Sequence, residues 1–482
     1  MKLRHAHDAA APARRQTSRR AGVTLCGAVA AFAAAGALSP AAGQTLPDVL
    51  AISYSTNPTL LAQRAFLRSV DEGVAQAVAN WRPTVTVTAD GGKSYVDTTT
   101  QVFNTDGTER VSVDNFENRL PNQQRLTVSQ PVFRGFRTVA ETESAENAVM
   151  AQRAALSNTE QGVLLTAVTA YMDVLQNQSV LELNINNEQV LGRQLEAAQD
   201  RFRVGEITRT DVSQAEARLA RATSDRVAAE GDLETSRAQF ANVIGQMPET
   251  LYVPDPLGDK LPASEEEAVL AAEASNPNVV TAVFNEKSAN ADIELVTGEL
   301  LPTVSVDGEV TRADETGSKF SKSTTGQVLA RISVPLYQSG SVYSRVREAK
   351  QIAGQNRVQI DEARRQARED AITAWEALQT ARAQVVAFQK EVSANEIALE
   401  GVEQEATVGS RTVLDILDAE QELLDASVNL VRARRDEVVS GYQVLTAMGR
   451  LTAQDLNLPV ELYDPESNYD EVRNKWFGTG IE

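Results

Sequence analysis

The chain of 482 residues has one cysteine, Cys26, and two histidines, His5 and His7, all near its beginning. Residues 1–20 carry Lys2, Arg4, Arg14, Arg15, Arg19 and Arg20 against a single acid, Asp8. Residues 21–38 are apolar and alanine-rich, and Ala41-Ala42-Gly43 supplies small side chains. This is the pattern of a secretory signal, so residues 1–43 are expected to be removed. Cys26 follows Leu25, which argues against lipidation. The remaining chain would have no cysteine and no histidine. That excludes a disulfide, a thiolate nucleophile, a histidine general base and a His/Cys zinc site. No phosphate-binding loop, dinucleotide glycine motif or calcium loop is present. Neither an enzyme nor a cofactor is therefore expected, and paired carboxylates alone would be a thin basis for glycoside hydrolysis.

Two more things are missing. No segment beyond residue 43 has 18 consecutive apolar residues, so no transmembrane helix is expected. Positive charge is also scarce. Without residues 1–43 the chain keeps 40 basic against 65 acidic residues, a net −25. Neither nucleic acid nor anionic lipid is an expected partner of such a chain.

What is present is a duplication. Thr45-x-x-Asp48, Thr56-Asn57-Pro58 and Pro83-Thr84-Val85 return 219 residues later as Ser264-x-x-Glu267, Ser275-Asn276-Pro277 and Pro302-Thr303-Val304. Ser129-Gln130-Pro131-Val132-Phe133 returns after 204 residues as Ser333-Val334-Pro335-Leu336-Tyr337. The first repeat is assigned 44–262 and the second 263–459, with a polar tail at 460–482 expected to be mobile. Each repeat reads as helix, strand, loop, strand, helix, helix. Alternation of Val85, Val87 and Ala89 with threonines, and of Val304 and Val306 with polar residues, predicts half-buried strands. Strands are placed at about 82–95 and 122–133, then about 302–311 and 323–337. Polar loops are expected between them, at about 96–119 and 312–322. Arms of ~10 residues suit a tilted strand crossing a bilayer. Four strands close no useful barrel alone, so a membrane role requires oligomerisation. Trp81, at the start of the first strand, fits either an interfacial aromatic belt or a packed core.

From Arg137 to Phe202 there is no proline and only two glycines, Gly162 and Gly192. A helix of that length is on the order of 100 Å long, and coiled-coil packing is the expected way to cover it. The following helix carries a heptad seam through Val212, Leu219, Arg226, Leu233 and Phe240, with Ala215, Ala222, Ala229, Ser236 and Val243 beside it. The second copy runs Ile416, Leu423, Leu430, Glu437 and Val444, beside Ala419, Ala426, Ala433, Ser440 and Ala447. Small residues in the seam let helices approach closely.

Two glycine turns join these helices. Arg203-Val204-Gly205-Glu206-Ile207-Thr208-Arg209-Thr210-Asp211 is matched 204 residues later by Thr407-Val408-Gly409-Ser410-Arg411-Thr412-Val413-Leu414-Asp415, continuing Ile416-Leu417-Asp418-Ala419-Glu420. Thr208-x-x-Asp211 and Thr412-x-x-Asp415 fit capping boxes, which would account for both aspartates without any further role. Asp418 has no such reason. Its repeat partner is Gln214, and it shares a helix face with Asp415.

With these motifs the chain resembles the TolC family of outer-membrane efflux and type I secretion channels, from the signal segment to about Pro459. The Val408–Ala419 run is the specific element. The two Asn-Pro helix breaks, the Pro-Thr-Val strand starts and Gln130–Gly135 support it. The resemblance implies a mixed α and β membrane protein. It would be a homotrimer, four strands per protomer closing one 12-stranded outer-membrane β-barrel, continued by a periplasmic α-helical barrel. It implies a passive exit duct whose partners are outer-membrane lipid, a periplasmic adaptor and an inner-membrane ABC or proton-driven transporter. Asp415 and Asp418 match the aspartates of the periplasmic constriction. Arg411 matches an arginine latching the second turn to the first repeat, with Thr210 and Asp211 as its partners. Gln194 matches a glutamine bonded to a gate tyrosine, but that position here is Ala406. The link is missing, and a more weakly held closed state is expected. The turns Val204-Gly205 and Val408-Gly409 would meet the adaptor. The rival is a periplasmic coiled-coil scaffold or adhesin stalk without channel activity.

Overall fold

A computed structural model describes residues 43–481. The expected signal segment lies outside the described residues, apart from Gly43. Helices α1 (Leu46–Thr56) and α2 (Pro58–Ala79) are parted by Asn57, whose side chain caps α2 by accepting from the Thr59 N–H at 2.9 Å. Proline at the first position of α2 lacks the N–H that a helix start leaves unpaired. Strands β1 (Thr84–Gly91), β2 (Ser94–Phe103), β3 (Arg110–Arg119) and β4 (Asn122–Phe133) follow. Then come α3 (Arg137–Arg203) and α4 (Arg209–Ile244). The second set is α5 (Glu265–Ser275), α6 (Pro277–Thr297), β5 (Thr303–Asp314), β6 (Lys322–Ser333), α7 (Ser341–Thr407) and α8 (Val413–Ala447). A short helix, α9 (Ser467–Val472), lies in the C-terminal segment.

Both long helices have 67 residues, or ~100 Å each. The seams behave as the heptads require. Ala215, Ala222, Ala229, Leu233, Ser236 and Phe240 are buried in α4, and Ile416, Ala426, Leu430, Ala433, Ser440, Val444 and Ala447 in α8. Arg226 occupies a seam position by reaching out of it. Its Nε donates to Glu188 on α3 at 2.7 Å. Thr223 and this arginine together hold the Glu188 carboxyl below its ordinary range. At the sheet end of the helices, α1, α2, α3, α4 and α8 share one apolar core around Leu50, Leu67, Val168, Phe240 and Leu445. Tyr171 is fully buried there. Its hydroxyl donates to the Tyr252 carbonyl at 2.6 Å, and burial pushes it up to about 12.

The sheet is antiparallel, ordered β1-β4-β5-β6, with β2-β3 forming a separate ribbon above it. Register fixes its two faces. Val85 pairs with Val128, Val87 with Leu126, Leu126 with Val310, and Val304 with Ile332. All lie on one side, because directly opposed residues share a face. The other side carries Thr86, Arg125, Thr127, Asp307, Glu309 and Arg331. Ser129 donates to Asp307 at 2.6 Å, and Arg331 lies 3.4 Å from the same carboxylate. Arg125 lies 3.5 Å from Glu309. Among the described residues, β1 and β6 each pair along one edge only. At the root of the sheet the Gly135 and Gly298 backbones press together, so neither position has room for a Cβ.

Several expectations are corrected. The loop placed at 96–119 is mostly strand. β2 and β3 pair from Ser94↔Arg119 to Phe103↔Arg110, leaving a turn at 104–109. Threonines at 98–100 read as polar loop, yet their β-branched side chains favour extended backbone. Tyr95 and Phe116, with ring centroids 4.6 Å apart, fasten the ribbon. The strand placed at 82–95 divides at Gly92-Lys93 into β1 and β2. The strand placed at 302–311 continues to Asp314. The return strand placed at 323–337 stops at Ser333; Pro335 has no N–H to give a ladder. Finally, the polar tail is docked. Asn468 donates to Asp71 of α2 at 2.7 Å, and Arg473 to Glu146 of α3 at 2.7 Å.

Candidate functional site: the helical tips

The α3–α4 and α7–α8 turns form the ends of the helices remote from the sheet. Gly205 and Gly409 adopt φ of +85° and +78°, a left-handed conformation that ends a helix without cost only for glycine. Val204 and Val408, beside them, are 72% and 79% exposed. The four turn residues singled out for adaptor contact thus lie at free apices.

Both capping boxes form. The Thr208 N–H and hydroxyl reach one Asp211 oxygen at 2.9 and 2.8 Å, and Thr412 reaches Asp415 in the same way at 2.8 and 2.8 Å. The backbone N–H first, then the hydroxyl, holds each carboxyl below the usual aspartate range. Thr210 is exposed in the first turn of α4.

Within this chain Arg411 finds a partner in its own repeat. Within the protomer Arg411 does not pair with Asp211. Its Nε donates to Glu405 of its own hairpin at 2.8 Å, across the glycine turn. Proximity decides this: Glu405 lies six residues back on the adjoining helix end, whereas Asp211 is already occupied by its cap. The tie between the repeats is made elsewhere. Arg218 of α4 donates to Asp418 of α8 at 2.5 Å, with the two side chains 29% and 53% exposed. Asp418 therefore faces α4 at this point. Neither Arg218 nor Glu405 stood out in the sequence. One signal existed: Gln214, the repeat partner of Asp418, lies one helical turn before Arg218.

Below these charges lies a small apolar core. Leu191 and Ala198 of α3, Ala215 and Ala222 of α4, and Val413 and Leu417 of α8 pack together. Gln194 lies on α3 at this level, partly exposed and without a hydrogen bond among the described residues. Ala406, at the expected tyrosine position, is buried. Burial, reinforced by the charge of Glu403, raises the Glu420 carboxyl above its ordinary range. The tip is thus acidic on its surface and apolar within. Its charged side chains ring the end of α8 where that helix meets α4.

Sheet, paired long helices and acidic tips together define an outer-membrane channel protein. The chain belongs to the outer membrane efflux protein family, whose pattern matches residues 49–246 and 269–450. The outer membrane efflux protein BepC of Brucella suis is 34% identical over 439 residues, 91% of this chain and 92% of that protein. The outer membrane protein TolC of Vibrio cholerae is 29% identical over 307 residues, 62% of this chain and 70% of that one. In fold, the chain matches the crystal structure of the Campylobacter jejuni CmeC outer membrane channel. The TM-score is 0.74 at 15% identity, over 89% of each chain. The protein is accordingly one of the outer membrane, with a helical part extending into the periplasm.

Proposed function

We propose that this protein is the passive exit duct of a tripartite efflux or type I secretion system. The observation that carries this reading is the sheet. It has one apolar face, one charged face and two unpaired edges, at the end of helices ~100 Å long. β5 and β6 have 12 residues each, or ~40 Å of strand. Tilted as barrel strands are, that spans the ~30 Å hydrocarbon layer. The apolar face then meets lipid and the Arg125–Glu309 and Arg331–Asp307 face lines water. Unpaired edges are a liability, and three copies closing into 12 strands remove them. A periplasmic scaffold or stalk would leave Val85, Val87, Val328 and Ile332 facing water, where all four are exposed in the single chain.

The helices continue as a periplasmic tunnel gated at its tips. α8 of each protomer is the moving element. Arg218–Asp418 ties it to α4, Arg411–Glu405 staples its turn, and Asp415 with Asp418 sets the negative charge at the entrance. Thr210, Asp211 and Gln194 flank this gate on the first repeat. A periplasmic adaptor docks at Val204-Gly205 and Val408-Gly409, and an inner-membrane transporter supplies the energy. The duct itself needs no cofactor.

Reconstitution into planar bilayers tests this. A small closed-state conductance is expected, with block by divalent cations from the periplasmic side that Asp418→Asn weakens. A heat-modifiable trimer should be recovered from outer-membrane fractions. Soluble protein without conductance would favour the stalk.

A further inference from the structure

The C-terminal segment runs back from α8 towards the sheet, and polar tethers fix its course. The Tyr463 N–H donates to the Tyr54 hydroxyl at 3.0 Å, Arg153 lies 2.9 Å from Glu466, Asn468 holds Asp71 at 2.7 Å and Arg473 holds Glu146 at 2.7 Å. Val472 of α9 is buried among them. Beyond α9, Arg82 donates to the Lys475 carbonyl at 2.7 Å and its guanidinium stands 4.7 Å from the centre of the Trp476 ring. Arg82 precedes the first residue of β1 by two positions. The tethers thus deliver Trp476-Phe477 to the root of the sheet. There they expose both rings: Trp476 is 58% and Phe477 87% exposed. Leaving apolar surface in water is unfavourable by ~25 cal/mol per Å², so holding an aromatic pair in this way calls for a partner.

We propose that Trp476 and Phe477 dock into the periplasmic-leaflet interface of the outer membrane, so that the C-terminal segment anchors the helical region to phospholipid. This rests on the barrel reading above. The lipid-facing run of β1 begins at Val85, three residues from Arg82, which at ~3.3 Å per residue is ~10 Å. The aromatic pair therefore sits within ~10 Å of the first lipid-facing residue, on its periplasmic side. Trp81, half exposed at the same level, belongs to the same belt. Trp and Phe suit that zone, with rings among the glycerol groups, while Arg82, Arg473 and Lys475 are held by the Lys475 carbonyl, Glu146 and Glu471 and fix the segment in place. This exposed aromatic pair continues a membrane face rather than standing alone.

The test uses the full chain in vesicles of phosphatidylethanolamine and phosphatidylglycerol. The chain has three tryptophans, so the Trp81→Phe/Trp375→Phe variant reports on Trp476 alone. Lipid brominated near the carbonyl end of its chains should remove most of that fluorescence, and aqueous iodide should remove little. Quenching by iodide but not by bromolipid would place the ring in water and overturn the inference. Protection from both would overturn it in favour of a second copy of the chain. A companion variant lacking all three native tryptophans and carrying Val87→Trp reports on the barrel itself. If it is quenched by bromolipid while Trp476 is not, the anchor fails and the barrel stands. If neither is quenched, both readings fail.

Discussion

The two hairpin tips descend from one pattern and now do different things. Both keep the left-handed glycine, the threonine–aspartate box and a small-residue seam. Aligned position by position, Leu417 stands where the first copy has Ser213, Val413 where it has Arg209, and Asp418 where it has Gln214. α8 buries Val413 and Leu417 in the tip core, whereas α4 buries Ala215 and Ala222, with Leu219 half-buried beside them. One copy has become the knob and the other the surface that receives it. The exchange runs the other way at the turn. The first copy has Ile207, packed against the tip core, where the second has Arg411, turned outwards onto Glu405. On the proposed reading, a duplicated hairpin would thereby have become a fixed element and a held one.

The strongest way to break this comparison is to remove the knob. Leu417 is 2% exposed, and its truncation to Ala is expected to cost ~2–5 kcal/mol locally. Hydrogen exchange in the first turns of α8 should accelerate, while Ser213→Ala, at an exposed position, should change exchange in α4 little. Equal responses would show that the copies have not diverged in role. Next in size are the turns. Gly205→Ala and Gly409→Ala meet open space but retain positive φ, which costs a side chain ~1–2 kcal/mol. Here the copies should respond alike, as read by protease cleavage at each tip.

Acid offers a second symmetrical probe. Asp211 and Asp415 both have folded values below their unfolded ones. Their contribution to stability is present above the unfolded aspartate value, ~3.9, and is lost as pH falls through the lower folded values. Pepsin should therefore cut both tips increasingly below about pH 4. Asp211→Asn and Asp415→Asn should each remove the dependence at one tip only. An acid response confined to one turn would mean that one of the boxes does not form.

These contrasts show what the sequence can and cannot reveal. The seams, capping boxes and glycine turns were legible because each is local: a period, a spacing or a single conformational demand. The β2–β3 ribbon was hidden by threonine and asparagine, which serve strands and loops alike. The docking of the tail was hidden because Asp71 and Asn468 are 397 residues apart. Arg411 was identified as a charge of consequence, but Glu405, its partner within the chain, was not legible, since nothing in the sequence orders Asp211 against Glu405. Pairing between distant helices is set by their relative register, which only packing decides.

The subtlest prediction concerns the tie that register created. Arg218 and Asp418 are partly exposed, so their pair should contribute only ~0–1 kcal/mol to stability, a strength that fits the proposed gate contact. Arg218→Ala and Asp418→Ala should leave the melting temperature nearly unchanged and yet raise single-channel conductance, because each frees α8 from α4. The charge exchange Arg218→Asp with Asp418→Arg should return conductance towards its original value. Arg411→Ala should have a smaller effect, because the bond to Glu405 lies within one hairpin and does not cross between the copies. If Arg411→Ala opened the channel more than Arg218→Ala, the held element would be the turn rather than α8. The division of labour between the two tips would then have to be redrawn around Glu405.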